Sequence, residues 1–163
     1  MGLLFLAMLC AGIIADPETA IAHVRTASPA AHALLTDAIA RSAIVNGLIE
    51  HLAWSDTIVY VEIVGTPEVP LARTKLVSSS PEVRFLRISI NARTPTWDRV
   101  ALLAHELQHA VEIAHATDVR DDDGVRRLYS AIGYKGDGNR FETAAARETE
   151  RRVRAELARR DPR

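Results

Sequence analysis

Between Thr94-Pro95 and Ala116 the apolar residues Trp97, Val100, Leu103, Ala104, Leu107, Ala110, Val111 and Ala114 recur close to i, i+3, i+4 and i+7. That period defines one buried stripe along a helix capped by Thr94-Pro95. Within it lies His105-Glu106-Leu107-Gln108-His109, an HExxH pentad. Histidines four apart stand one turn above each other, so both imidazoles can reach one metal ion, and Glu106 can point at a water on that ion. The spacing supplies two Zn²⁺ ligands and a general base together. All three residues fall at the edge of the buried face, where two unpaired histidines would be costly and a metal would satisfy both.

The chain has 163 residues, 48% hydrophobic and 25% charged, which predicts one globular domain with a real core. A formal charge of -1 gives no electrostatic argument for nucleic acid, and none is expected as a partner. Met1 to Ile14 is an unbroken apolar and small stretch, too short to span a bilayer, followed by Ala15-Asp16-Pro17. Residues 1–15 are therefore expected to be a signal peptide or N-terminal membrane segment, with any membrane association confined to 1–14, and 16–163 a single domain. A secreted, periplasmic or cell-envelope location follows as an expectation. Leu9 before Cys10 is bulky where a lipobox wants a small residue, which argues against lipidation.

Ser28-Pro29 reads as an N-cap and first helical position, opening one long helix that ends near Trp54-Ser55-Asp56. The β-branched run Thr57 to Val64, then Leu71 to Ser78 and Val83 to Ile90, predict three strands. The acidic run Asp118 to Asp123 reads as a solvated loop and helix start, followed by a short helix near Val125 to Ile132 and a glycine-rich loop without a phosphate-binding pattern. A last helix is expected from about Phe141 to Arg159, exposed and supported by Glu148/Arg152, Glu150/Arg154 and Glu156/Arg160 at i,i+4.

A catalytic zinc usually takes a third protein ligand. His115 stands where an HExxHxxGxxH motif places its third histidine, but Glu112 replaces the glycine, and both methionines lie in the first eight positions, so no Met-turn follows. Asp137, in the glycine-rich loop, is the weakest candidate. Glu142, in Phe141-Glu142-Thr143-Ala144-Ala145, is the strongest. Strands, an HExxH helix and then Glu142-Thr143-Ala144-Ala145 make the chain resemble the gluzincin metallopeptidases, in particular those with an ExxA third-ligand element. The resemblance covers roughly Thr57 to Glu156. It departs at Ala146, where the family often has an Asp that steadies a ligand histidine; a substitute such as Glu112 would have to orient a ring.

That resemblance implies an α+β, zincin-like fold, with a small antiparallel or mixed sheet packed on the HExxH helix between long N-terminal and C-terminal helices. It implies one Zn²⁺ held by His105, His109 and Glu142, Glu106 as general base, and a peptide or protein substrate added along the free edge of the Val83 to Ile90 strand. A further oxyanion donor is expected, with Tyr134 first and Tyr129 or Arg140 as alternatives. Two other readings stand beside this one. The first is a non-catalytic zinc-binding domain of the same fold acting as a protein-binding module; the second is a metal-free helical domain in which the pentad is coincidence.

Overall fold

A computed structural model describes residues 22–67, 69, 71–135 and 141–160. The apolar segment 1–15, with Cys10, and the candidates Asp137 and Arg140 lie outside the described residues. The fold is α+β. One mixed sheet contains β1 (Val24–Thr26), β2 (Thr57–Val64), β3 (Ala72–Ser79) and β4 (Arg84–Asn91), in the order β1-β2-β4-β3. β1, β2 and β4 run parallel, and β3 pairs antiparallel with β4. The β4 segment is thus internal, and the strand with an unpaired edge beside it is β3. Alternation of Leu86, Ile88 and Ile90 with Arg87 and Ser89 marks one buried face, and a buried face carries no information about lateral neighbours.

Side chains alternate as the pleat requires. Val59, Val61, Leu86, Ile88, Ile90, Ala72 and Leu76 are buried on one face, while Tyr60, Glu62, Phe85 and Arg87 on the other are not. Against the buried face pack α1 (Pro29–Arg41), α2 (Ala43–Ala53) and α3 (Thr96–His115). The long first helix expected from Ser28 is broken at Ser42. Its backbone is extended (φ -134°, ψ 116°), and its hydroxyl accepts from the Val45 N–H, capping α2. Serine competes well for such a cap, so a residue that fits the apolar period ends one helix and begins another.

The pentad lies on α3, which spans the sheet with Leu103 and Leu107 fully buried. Truncating either to alanine would cost about 2–5 kcal/mol. Trp97, counted in the apolar stripe, is instead 63% exposed in the first turn. At the far end of α3, Arg84 of β4 is fully buried and donates to the carbonyls of Ile113 at 2.6 Å, Ala114 at 2.9 Å and Ala116 at 2.9 Å. These carbonyls lie at the negative end of the helix, where intrahelical partners run out, and that of Ile113 also accepts from the backbone N–H of Ala116 at 3.2 Å. Asp56 balances the guanidinium through Nε at 2.9 Å, and Arg120 adds a second cation 2.8 Å from the same carboxylate.

The acidic run behaves as a helix start: the Asp121 carboxylate accepts from the Gly124 N–H at 2.7 Å and caps α4 (Asp122–Ile132). Then β5 (Tyr134–Lys135) pairs with β6 (Phe141–Glu142), and α5 (Ala144–Arg160) lies along α3. The last helix is not an exposed rod, because Ala146, Thr149, Val153 and Leu157 are buried. Of its expected ion pairs, Glu150 meets Arg154 at 2.7 Å. Glu148 turns instead to Arg151, and Glu156 to the Ser42 hydroxyl.

Candidate metal centre

The rings of His105 and His109 lie 4.9 Å apart, edge to face, one turn apart on α3. Both are nearly fully buried, as is Glu106. Each imidazole is held at Nδ1 by a carboxylate: Glu150 of α5 lies 2.9 Å from His105, and Glu112 lies 2.9 Å from His109. With the Nδ1 proton directed at a carboxylate, the lone pair is left on Nε2. Both Nε2 atoms face one oxygen, Glu142 Oε1, at 3.3 Å from His105 and 3.8 Å from His109. The three ligand atoms lie within 4.8 Å of one another. Donors about 2.1 Å from a tetrahedral ion are about 3.4 Å apart, and the two imidazole-to-carboxylate spacings lie within a few tenths of an ångström of that value. The donor types and their orientation fit Zn²⁺.

Glu142 does not stand in the first turn of α5, as the sequence pattern predicts. It ends β6, opposite Tyr134, and Thr143 caps the helix: its hydroxyl accepts from the Ala146 N–H at 3.0 Å and donates to Glu112 Oε1 at 2.7 Å. One hydroxyl thereby joins the start of α5 to the carboxylate that holds His109. Gly133 makes this approach sterically feasible. A Cβ there would lie 2.7 Å from the Glu142 carbonyl oxygen and 2.9 Å from that of Tyr129, closer than real Cβ contacts.

Charge is arranged to match. Burial by itself would depress the His105 imidazole, but the Glu150 hydrogen bond and the charges of Glu106 and Glu142 outweigh it and hold the group above its ordinary range. The same hydrogen bond, opposed by burial and helped by Arg154, holds Glu150 down at about 2. Arg154 also pairs with Asp98 in the first turn of α3, so one guanidinium links both helices beside the site.

Glu106 is positioned from the sheet. The Thr74 hydroxyl of β3 lies 2.7 Å from Glu106 Oε2 and 3.0 Å from the Glu106 carbonyl oxygen. A cavity of about 390 Å³ opens between β3, α3 and α5, and His105, Glu106, His109 and Glu142 all line it. Its floor includes Tyr129, whose hydroxyl donates to the His109 carbonyl at 3.3 Å and whose ring stacks on Phe141 at 5.6 Å. Burial, with Glu112 nearby, pushes that phenol well above its ordinary range.

The remaining candidates lie elsewhere. His115 is exposed and meets the edge of the His51 ring at 6.0 Å, in a separate depression beside Trp54. Tyr134 is 45% exposed and carries the Arg147 guanidinium 5.4 Å over its ring. Arg147 itself lines the cavity, 3.5 Å from Glu142 Oε2. Glu150 and Thr74 carry no sequence signal for these roles. The spacing of Glu150 marks it only as an i,i+4 partner of Arg154, which it also is, and the partner of Thr74 is 32 residues away.

No protein-family model, curated protein or solved structure matches this chain. Among the described residues, no helix is long and apolar enough to cross a membrane.

Proposed function

We propose that this chain is a zinc-dependent metallopeptidase with a zincin-like fold, hydrolysing peptide bonds with Glu106 as general base. The observation that carries the reading is the convergence of His105, His109 and Glu142 within 4.8 Å, on the cavity that Glu106 also lines. When bound there, Zn²⁺ supplies Lewis acidity, bringing the pKa of a water it holds to about 7 and polarising a carbonyl oxygen. Glu106 takes a proton from the attacking water and returns it to the leaving amine. Its Oε2 is held by Thr74, which leaves Oε1 for that transfer.

Among the described residues the unpaired edge beside the cavity belongs to β3, so an extended peptide adds there rather than to β4, running past Thr74 and beside Glu106. For the oxygen that gains charge, the chain offers Arg147, and Tyr134 acts as the platform that holds it. An unheld ligand ring, expected where Ala146 replaces the Asp, would favour the non-catalytic module. Glu150 and Glu112 hold both rings without an Asp at that position, so Ala146 no longer favours it. Secretion to the periplasm or cell envelope is proposed on residues 1–15 alone.

The test is purified protein assayed for zinc and for cleavage of a peptide library. Wild type should carry about one equivalent of zinc and cleave. Glu106→Gln should keep the metal and lose cleavage, and Glu142→Ala should lose the metal. Zinc-loaded wild type that cleaves no member of the library would remove the catalytic reading. Full zinc in Glu142→Ala, with loss in His115→Ala, would remove the site.

A further inference from the structure

The strand that borders the metal cavity carries positive charge for which the described residues supply no ion-pair partner. On β3 the buried Ala72 and Leu76 and the half-buried Thr74 face α3, so Arg73 and Lys75 stand exposed on the other face of the sheet. The register places Lys75 directly opposite Arg87 of β4. Like charges opposed across an antiparallel pair are destabilising. One carboxylate, Glu62, lies 3.9 Å from Arg87 and is shared with the Ser89 hydroxyl. Neither Arg73 nor Lys75 has an ion-pair partner among the described residues.

Lysine on an open edge can serve only to repel a second edge. Two observations carry this strand further. Arg73 lines the metal cavity, and Thr74, between the two cations, holds Glu106. Along the strand, on its opposite face, the two cations therefore flank the residue beside which the scissile segment must lie. A strand added to β3 presents every second side chain on the face of Arg73 and Lys75 and the intermediate ones toward the cavity. Resting on the metallopeptidase reading, we propose that the cleft takes acidic peptides, with Glu or Asp at alternate positions on either side of the residue that faces the cavity. Arg147 is not part of this set, because Glu142 and the Tyr134 ring already hold it.

The test uses three blocked, fluorescein-labelled peptides of equal length, alternating Glu-Ala, Gln-Ala and Lys-Ala. Zinc-loaded wild type is read by kcat/KM, and zinc-loaded Glu106→Gln protein by fluorescence anisotropy. An exposed ion pair contributes roughly two- to fivefold, so two predict about a tenfold preference for the Glu peptide over the Gln peptide, shrinking at high salt. Arg73→Glu with Lys75→Glu should reverse the order in favour of the Lys peptide. Cleavage or binding of all three peptides within about twofold, or a preference that survives the charge reversal, would overturn the proposal. If nothing is cleaved while the Glu106→Gln protein still selects the Glu peptide, the peptidase reading falls and the acidic-peptide site stands.

Discussion

The carboxylate of Glu150 lies 2.9 Å from Nδ1 of His105, across a separation of 45 residues. It fixes the ring so that Nε2 points at Glu142, as Glu112 does for His109. Glu150→Ala is expected to weaken zinc binding about 10- to 100-fold, and Glu112→Ala by a similar factor. Competition titration against a chelator measures both. Unchanged affinity in either variant would show that its ring is held by something else.

Thr74 bears on chemistry rather than on metal. Thr74→Val removes the hydroxyl that holds Glu106 Oε2 while keeping the β-branched shape the strand prefers. Zinc content should stay at wild-type level, and kcat should fall by about tenfold, in the lower range for a general base that is misplaced. An unaltered kcat would mean that Glu106 is aimed without the sheet.

Metal removal should destabilise the fold. The centre gathers Glu106, Glu112, Glu142 and Glu150 around two imidazoles, and a bound cation relieves that repulsion. Free zinc at a thousandfold excess over its dissociation constant adds about 4 kcal/mol. Differential scanning calorimetry should therefore show the melting temperature rising by roughly 10 °C on loading, at 2–4 °C per kcal/mol. Equal melting temperatures with and without chelator would contradict a site built from the folded α3–α5 seam.

Arg84 is expected to be the most costly single polar side chain to lose. Arg84→Met leaves Asp56 half-buried without its main partner and returns the α3 carbonyls to an unsatisfied state, at a cost of about 3–5 kcal/mol. Adding Asp56→Asn should recover part of that loss, because the stranded charge goes with it. A urea titration of the three proteins checks the sign of the coupling.

The same pair sets an acid limit. Burial raises the Asp56 carboxyl, but the hydrogen bond and charge of Arg84, joined by Arg120, prevail and leave it below the ordinary carboxylate range. The unfolded chain therefore takes up the proton first. This contribution is fully present above the unfolded value and is lost as pH falls through the folded one. Stability measured by urea midpoint should drop as pH falls below about 5, and Asp56→Asn should flatten that part of the curve. An identical acid profile in the variant would exclude the pair as its cause.

Period and spacing made α3, β2, β3, β4 and the pairing of His105 with His109 on one helix face legible, since those signals are local. What escaped the sequence is set by partners far along the chain. Ser42 fits the apolar period of a continuous helix and instead caps a new one. Glu142 sits on a strand of two residues, too short to carry any alternation. The free edge is β3 rather than β4 because β4 turns back and inserts between β2 and β3, and no side-chain pattern reports which strand is outermost. Glu150 replaces the Asp absent at Ala146 from further along the same helix, a position that local motif spacing does not test.

Glu142 and the carboxylate behind His105 both belong to the segment that follows Phe141, and Thr143 adds the brace on Glu112. The pentad on its own therefore amounts to two loosely aimed imidazoles and an acid. A ribosome-bound chain that has released α3 but not α5 holds two of the three candidate ligands, and the third arrives only when the last helix folds back. On the proposed reading, metal occupancy is a record of finished assembly, with an ion retained only once the two ends of the site have met.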